Sequence, residues 1–321
     1  MVFGSELKVL FAHPQVKRQL TAEGAYHQLI QVMVPGSTAF EGIYQVPPGH
    51  LIKIKRHNSK LNITQHKYWD IDFPVAGDHV NHHDENYYIE GVREQLLEAV
   101  QLRLQADVPV GCYLSGGIDS CSILGLSAAL RQDPVKAFTI GFDNSEYDET
   151  SVATEMATKT AAEQLVLPVT ASDLYDNFSR TIWHAERTIY NTLAVAKLLM
   201  SQTVKENNYK VVLTGEGSDE LFAGYPAFRK DMFLYGTDDL PATLRKEWQA
   251  SLEESNKLFR GAMLPREEFK SQALADKVGF TPNCLQTWLH CHDSAMSLLS
   301  HDWQKELANY DAGAAIANTL D

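Results

Sequence analysis

The chain has 321 residues and a formal charge of −13, because 41 Asp and Glu residues outnumber 28 Lys and Arg residues. This acidity excludes a sequence-independent nucleic-acid binder, which needs an excess of positive charge to bind the phosphate backbone. A hydrophobic content of 44% excludes global disorder, and no apolar run reaches the ~18 residues that span a bilayer, so we expect a cytoplasmic protein.

The first seventy or so residues place turn-forming residues between short apolar runs, a pattern typical of strands. Residues 51–54 and 63–69 predict the two strands of a hairpin. The composition then turns polar and loses hydrophobic periodicity, which is typical of a linker. We therefore expect a β-rich region over residues 1–75, a linker over 76–85 and a second domain over 86–321.

The second domain begins with apolar residues recurring every four positions, which predicts a helix over residues 86–105. Residues 108–114 then form a continuous apolar run, as in a strand buried on both faces. Strands and helices alternate after that, which predicts an α/β fold with a doubly wound parallel sheet, followed by a helical C-terminal part. The further predicted strands are 137–142, 164–169 and 210–214, and the further predicted helices are 121–130, 149–162, 173–185, 194–206, 242–259 and 267–277.

The first candidate site is the turn Ser-Gly-Gly-Ile-Asp-Ser at residues 115–120, between a buried strand and a helix. Adjacent glycines let backbone amides approach an anion, the hydroxyl groups add donors, and the helix N-terminus adds a partial positive charge. The Gly-Lys-Ser/Thr ending of a Walker loop is absent. The turn predicts a pyrophosphate cradle, with Asp119 available for magnesium.

The second candidate site is the acidic turn at residues 214–220, Thr-Gly-Glu-Gly-Ser-Asp-Glu, which also follows an apolar strand. A solvated acidic turn would explain it equally well in isolation. If both turns leave the same sheet at its C-terminal edge, they face one crevice, and Asp119 and Asp219 can share a divalent cation.

Residues 115–120, 138–142 with the following 146–149, and 212–225 resemble the synthetase domain of the glutamine-hydrolysing asparagine synthetase family, in the order and approximate spacing of that family. The N-terminal region resembles the closing section of the family's glutaminase domain. Its matching segments are residues 3–8, 40–43, 46–50 and 68–70.

The resemblance implies a pyrophosphatase-type fold that uses ATP and Mg²⁺ to make an amide. The aspartate side chain would be activated as an adenylate, and ammonia would convert it to asparagine, with AMP and pyrophosphate as by-products. Glu216 would orient the intermediate and accept a proton from the attacking ammonia. The other implied roles are pyrophosphate binding by Ser115, Gly116, Gly117 and Ser120, nucleotide binding by Tyr113, Leu114, Ile140, Thr214 and Gly215, and magnesium binding by Asp119 and Asp219.

The sequence departs from the family at both ends. The family's glutaminase domain begins with a cysteine directly after Met1, whereas Val2 stands here. A C-terminal signature, with a later lysine that contacts the phosphates, is not found before Asp321. We therefore expect a chain cut at both ends that does not hydrolyse glutamine and takes free ammonia or ammonia from a partner subunit.

Three alternatives stay open at this stage. A related amidotransferase would activate another carboxylate with the same two motifs. A truncated subunit would bind ATP without turnover, as a homo-oligomer or with a partner. A pyrophosphatase-loop enzyme acting on RNA or a nucleotide is disfavoured by the acidic charge.

Overall fold

The computed structural model describes residues 1–58, 60–71, 83–144, 148–236, 241–258 and 269–320. Its elements in chain order are α1 (Leu7–Leu10), α2 (Ala22–Ile30), β1 (His50–His57), β2 (Lys60–Lys67), α3 (Glu85–Leu104), β3 (Val110–Tyr113), α4 (Ile118–Leu130), β4 (Lys136–Phe142), α5 (Thr150–Lys159), β5 (Glu163–Val169), α6 (Ala171–Asp176), α7 (Phe178–Ala185), α8 (Leu193–Glu206), β6 (Val211–Leu213), α9 (Ser218–Leu221), α10 (Pro226–Tyr235), α11 (Ala242–Leu258), α12 (Gln272–Val278), α13 (Asn283–Leu289), α14 (His292–Leu298), α15 (His301–Glu306) and α16 (Ala312–Ala317).

The chain divides into two compact units. The sheet unit contains residues 74–185 and 189–222, and the helical unit contains residues 1–73, 186–188 and 223–321. The predicted boundaries at 75 and 85 fall close to residues 72–82, which lie outside the described ranges, as does most of the predicted linker. The division of the chain into domains therefore stays a prediction.

The sheet unit is built on four parallel strands in the order β5-β4-β3-β6. The strands predicted from the apolar runs are present, with ends that differ by one or two residues. The predicted helix 173–185 is instead two helices, because α6 ends at Asp176 and is capped by Asn177, whose side-chain amide donates to the Asp173 carbonyl at 2.9 Å.

Helices cover both faces of this sheet. Cys112 and Ala137 pack with Leu124 of α4 in one core cluster. Phe138 packs with Met200 of α8 in another. Neighbouring residues of a strand point to opposite faces, so two helix-covered faces confirm the predicted doubly wound α/β fold.

The strand order reverses between β3 and β6. The chain passes from β3 to its neighbour β4 and on to β5, and then returns to place β6 on the other side of β3. Such a switch point opens a crevice at the carboxyl ends of the two strands, and ligands of open α/β sheets bind there. Both candidate turns follow these two strands.

The helical unit surrounds α2, a helix that the sequence pattern did not predict. Tyr26 and Ile30 are fully buried in one cluster with Leu274, Leu289 and Ile316. The Thr21 hydroxyl caps the helix by accepting from the Gly24 amide at 3.0 Å. The prediction of strands throughout the first seventy residues is therefore wrong for α2, and also for the single-turn helix α1.

His27 lies at the centre of this helical core. Its Nε2 is 2.7 Å from the Tyr310 hydroxyl, and its Nδ1 contacts the Val32 carbonyl. Burial lowers the pKa of His27 and raises the pKa of Tyr310 to about 12. A neutral imidazole that donates from Nδ1 and accepts from Tyr310 satisfies both contacts.

The predicted hairpin is present in the helical unit as β1 and β2, which pair antiparallel with Ile54 opposite Ile63. Strand β1 extends beyond the predicted 51–54 at both ends, whereas β2 begins three residues before and ends two residues before the predicted 63–69. In the described parts of the chain, no helix combines the length and apolar character needed to cross a membrane.

Candidate functional site

The first turn is held in shape by its own hydroxyl groups. Ser120 Oγ accepts from the Ser115 amide at 3.2 Å and donates to the Gly117 carbonyl at 3.1 Å. Ser115 Oγ lies 3.0 Å from Ser120 Oγ and accepts from the Gly117 amide at 3.3 Å. Ser120 is buried while Ser115 is exposed, so an inner hydroxyl fixes the loop and an outer one faces solvent.

Gly116 is required by the backbone at this position. Its φ is +91°, and a Cβ there would lie 3.1 Å from the Glu149 carbonyl oxygen and 3.3 Å from the Ala153 amide nitrogen. The left-handed conformation and the approach of α5 both favour glycine. The turn therefore lies close to the N-terminus of α5 as well as at the start of α4.

The second turn lies directly against the first. A Cβ on Gly215 would be 2.5 Å from Asp119 Cβ and 2.8 Å from the Ser120 amide nitrogen. The pairing of β3 with β6, with Cys112 opposite Leu213, brings the two turns to this position. The structure thus meets the condition for a shared crevice, since both motifs leave the same sheet edge side by side.

Asp119 and Asp219 fit a magnesium site in their chemistry. Both side chains are half-buried and follow neighbouring strand ends. Within the described ranges, no three His, Cys, Asp or Glu side chains converge on a point where a metal ion could bind. Magnesium is commonly held by one or two carboxylates together with substrate phosphates and water, so two carboxylates suffice for that arrangement.

Glu216 forms an ion pair with Lys197 of α8. Its amide donates to Thr214 Oγ1 at 3.4 Å. Sequence reasoning did not identify Lys197 as a site residue, because the pair depends on where α8 lies relative to the end of β6. The sequence contains no local spacing signal for a contact between residues so far apart.

Three further predicted nucleotide contacts, Tyr113, Leu114 and Ile140, lie at the end of β3, directly after it, and within β4. The Tyr113 hydroxyl is 3.2 Å from Ser201 Oγ of α8, and Ile140 belongs to the same core face. The Leu114 side chain is 1% exposed, and its amide donates to the Phe138 carbonyl at 2.9 Å. A nucleotide contact from Leu114 would therefore have to come from its backbone.

Cys121 follows the first turn but is a poor nucleophile. Burial raises the pKa of its thiol, against a hydrogen bond with Ser120 that lowers it, so the reactive thiolate is a minor species at neutral pH. Of the acidic segment that follows β4, Glu146 and Tyr147 lie outside the described residues, and Glu149 contributes the carbonyl near Gly116.

Residues 91–311 match the family model described as asparagine synthase. The chain belongs to the asparagine synthase family. The match includes both turns, the four strands of the sheet and most of the C-terminal helices. The family resemblance carried by the two motifs is confirmed.

Curated relatives of this family member carry different names. Amidase chyE of Penicillium rubens is 36% identical over 65% of this chain and 33% of the relative. Amidase chry2 of Gibberella zeae is 37% identical over 66% of this chain and 33% of the relative. Asparagine synthetase [glutamine-hydrolyzing] 1 of Bacillus subtilis is 27% identical over 76% of this chain and 37% of the relative. The chain spans about a third of the length of these relatives.

Proposed function

We propose that the chain is an ATP-dependent amide-forming ligase. A carboxylate would be activated as an adenylate, and ammonia would then displace AMP to give the amide. The observation that supports this most directly is the packing of Gly215 against Asp119 and Ser120, which places both family motifs at one switch point. Membership of the asparagine synthase family supports the same reaction class.

The first turn would hold the pyrophosphate that leaves ATP. Hydrogen bonds among Ser115, Gly117 and Ser120 fix the turn before ligand arrives, so little reorganisation is needed as charge develops. The N-terminus of α4 adds its partial positive charge beneath the turn. A preformed cradle of this kind would lower the barrier to pyrophosphate release if it holds the departing pyrophosphate more tightly than the same phosphates in ATP.

Asp119 and Asp219 would hold a magnesium ion against the phosphates. Bound there, the ion would neutralise phosphate charge and orient the α-phosphorus toward the attacking carboxylate. Placing one carboxylate on each turn means that correct contact between the turns is required to bring the two together.

Glu216 would accept the proton that ammonia loses when it attacks the adenylate. An amine nucleophile becomes cationic on forming the new C–N bond, and a nearby carboxylate can take the excess proton. Glu216 is suited to this role because it lies on the second turn, shortly after the end of β6, and its exposed side chain is accessible to a substrate. Free ammonia, or ammonia supplied by a partner subunit, would be the nitrogen donor.

Aspartate is the proposed carboxylate substrate, by similarity to the asparagine synthetases. A second candidate is a different carboxylate with the same chemistry. This candidate is favoured by identity, since relatives named amidases are 36–37% identical and those named asparagine synthetases are 26–29% identical.

The test is AMP and amide formation by the purified chain with ATP, magnesium and ammonia, with aspartate and then with a panel of other carboxylates. Asp219→Asn should abolish both adenylation and amide formation. Glu216→Gln should keep adenylation and lose about 10²–10⁴-fold in amide formation. Glu220→Gln, an exposed carboxylate on the same turn, is the matched control and should retain both.

Equal losses in the Asp219 and Glu216 variants would contradict the assigned roles. ATP binding without AMP formation for any carboxylate would instead support an ATP-binding subunit without turnover.

A further inference from the structure

A line of contacts joins the end of β3 to Glu216 through one face of α8. The Tyr113 hydroxyl is 3.2 Å from Ser201 Oγ, which donates to the Lys197 carbonyl at 2.8 Å. The Lys197 ammonium then pairs with the Glu216 carboxylate. The backbone that carries Lys197 is thus fixed relative to the strand that leads into the first turn.

We propose that Lys197 is a positioning residue for Glu216 in the amide-forming step, an inference that rests on the proposed function. The Glu216 side chain is 63% exposed, so it would sample several rotamers without a partner. The ammonium of Lys197 restricts the carboxylate to the side of the second turn that faces α8. Because the proton acceptor is already in position, the activation free energy does not include the entropy cost of ordering its side chain.

Lys197 also changes the charge that an incoming substrate meets. The second turn carries Glu216, Asp219 and Glu220, and both ATP and the carboxylate substrate are anions. The ammonium of Lys197, paired with Glu216, offsets one negative charge beside the crevice. Repulsion of the anionic substrates is reduced accordingly.

A purely structural role predicts a different outcome. Lys197 is 45% exposed, and ion pairs between exposed side chains add little to stability. The pair Lys159–Glu155 on α5 is a matched comparison in the same unit, with both side chains more than 65% exposed and Nζ 2.7 Å from Oε1. Removing either lysine should leave the melting temperature nearly unchanged, whereas only the removal of Lys197 should slow amide formation.

The experiment compares Lys197→Met, Lys197→Arg and Glu216→Gln, the double variant of Lys197→Met with Glu216→Gln, and the control Lys159→Met. Carboxylate-dependent ATP–pyrophosphate exchange measures adenylation, and ammonia-dependent amide formation measures the second step. At saturating ATP and carboxylate, where added repulsion no longer limits binding, Lys197→Met should retain exchange within about twofold. It should lose about fivefold in kcat for amide formation, since an exposed ion pair shifts the side-chain population of its partner only to about that degree. Lys197→Arg should recover most of that loss, and Lys159→Met should match wild type in both assays.

The double variant separates positioning from an independent effect. If Lys197 acts through Glu216, the double variant should be no slower than Glu216→Gln alone. Losses that multiply, or a Lys197→Met variant with unchanged amide formation, would overturn the inference.

A spectroscopic readout keeps the inference testable if the proposed function fails. Failure of the proposed function would be seen as wild type lacking ATP–pyrophosphate exchange with every carboxylate. The ¹H–¹⁵N signal of the Lys197 ammonium, assigned by its loss in Lys197→Arg, should show slow exchange of its protons with water in wild type. That protection should disappear in Glu216→Gln. An ammonium that exchanges equally fast in both proteins would show that Lys197 does not hold Glu216.

Discussion

Gly215→Ala is the substitution that most directly perturbs the contact between the two turns. The added Cβ would lie 2.5 Å from Asp119 Cβ, 2.7 Å from the Asp119 carbonyl carbon and 2.8 Å from the Ser120 amide nitrogen. Because non-bonded carbon atoms pack at about 3.5–4.0 Å, the turns must separate by about 1 Å or more. All three contacts involve backbone or Cβ atoms, so no side-chain rotation can relieve them.

The expected cost has two parts. Overpacking of this kind destabilises by about 1–3 kcal/mol, which urea unfolding of the chain would measure. A displacement of about 1 Å in the substrate-binding geometry lowers the rate by about 10²-fold, which ATP–pyrophosphate exchange would measure. The two carboxylates proposed for magnesium would move apart together with the turns.

Two other glycines serve as controls. Gly91 on α3 has nothing within 4 Å of an added Cβ, so Gly91→Ala should be neutral or slightly stabilising. Gly217 also has open space but a φ of +94°, so Gly217→Ala tests backbone strain alone, at about 1–2 kcal/mol. A Gly215→Ala protein with the stability and exchange rate of Gly91→Ala would refute the reasoning that the turns are in contact.

Further substitutions test the cradle and the helical unit. Ser120→Ala should weaken the binding of pyrophosphate and ATP measured by calorimetry, because three hydrogen bonds of the first turn are lost. Ser122→Ala is the control, since that hydroxyl bonds within α4 and its loss should leave both affinities unchanged. Equal affinities in the two variants would count against a preformed cradle. Burial lowers the pKa of His27, so the unfolded chain binds that proton more readily, and stability should fall as pH drops below the ordinary value of 6.5. His27→Gln should therefore have a lower melting temperature than wild type at pH 7.5, but a smaller fall in melting temperature between pH 7.5 and 5. If the melting temperatures of the two proteins fall equally over this range, His27 is not the source of the acid sensitivity. Asp231→Ala should lower the free energy of unfolding by about 1–3 kcal/mol, measured in urea, because the buried Asn283 amide loses its acceptor. In the wild-type structure that amide donates to the Asp231 carboxylate at 3.0 Å. An unchanged urea midpoint would contradict this prediction.

Local pattern was sufficient to predict the strands of the sheet unit and most of its helices, although it merged α6 with α7 and missed the short α9. Strand β3 itself is buried as expected, although Pro109 just before it is exposed, and the alternation with helices gave the correct α/β class. These signals are strong because a parallel strand buried on both faces must be continuously apolar.

The helix α2 could not be predicted from local pattern, because it depends on tertiary packing. Helix α2 is only nine residues long, and its burial comes from residues such as Leu274 and Ile316 that are distant in sequence. A short helix gains most of its stability from such packing, so its own sequence carries a weak signal. The turn signals of the hairpin, by contrast, lie beside the strands that they connect, and the hairpin was predicted correctly.

The candidate site shows the same division. The composition of each turn predicted its chemistry, but the juxtaposition of Gly215 with Asp119 required the strand order β3-β6. That order follows from where the chain returns after β5, which no local spacing encodes. The Lys197 contact with Glu216 depends on the same return, because α8 leads into β6.

Carboxylate-dependent ATP–pyrophosphate exchange by the full chain, in the absence of ammonia, tests the central claim most directly. The claim is that the two turns form one site for adenylating a carboxylate. It predicts exchange that needs magnesium and responds to one member of a carboxylate panel, with wild-type rates in Glu220→Gln and none in Asp219→Asn. Tight ATP binding with no exchange for any carboxylate would contradict it.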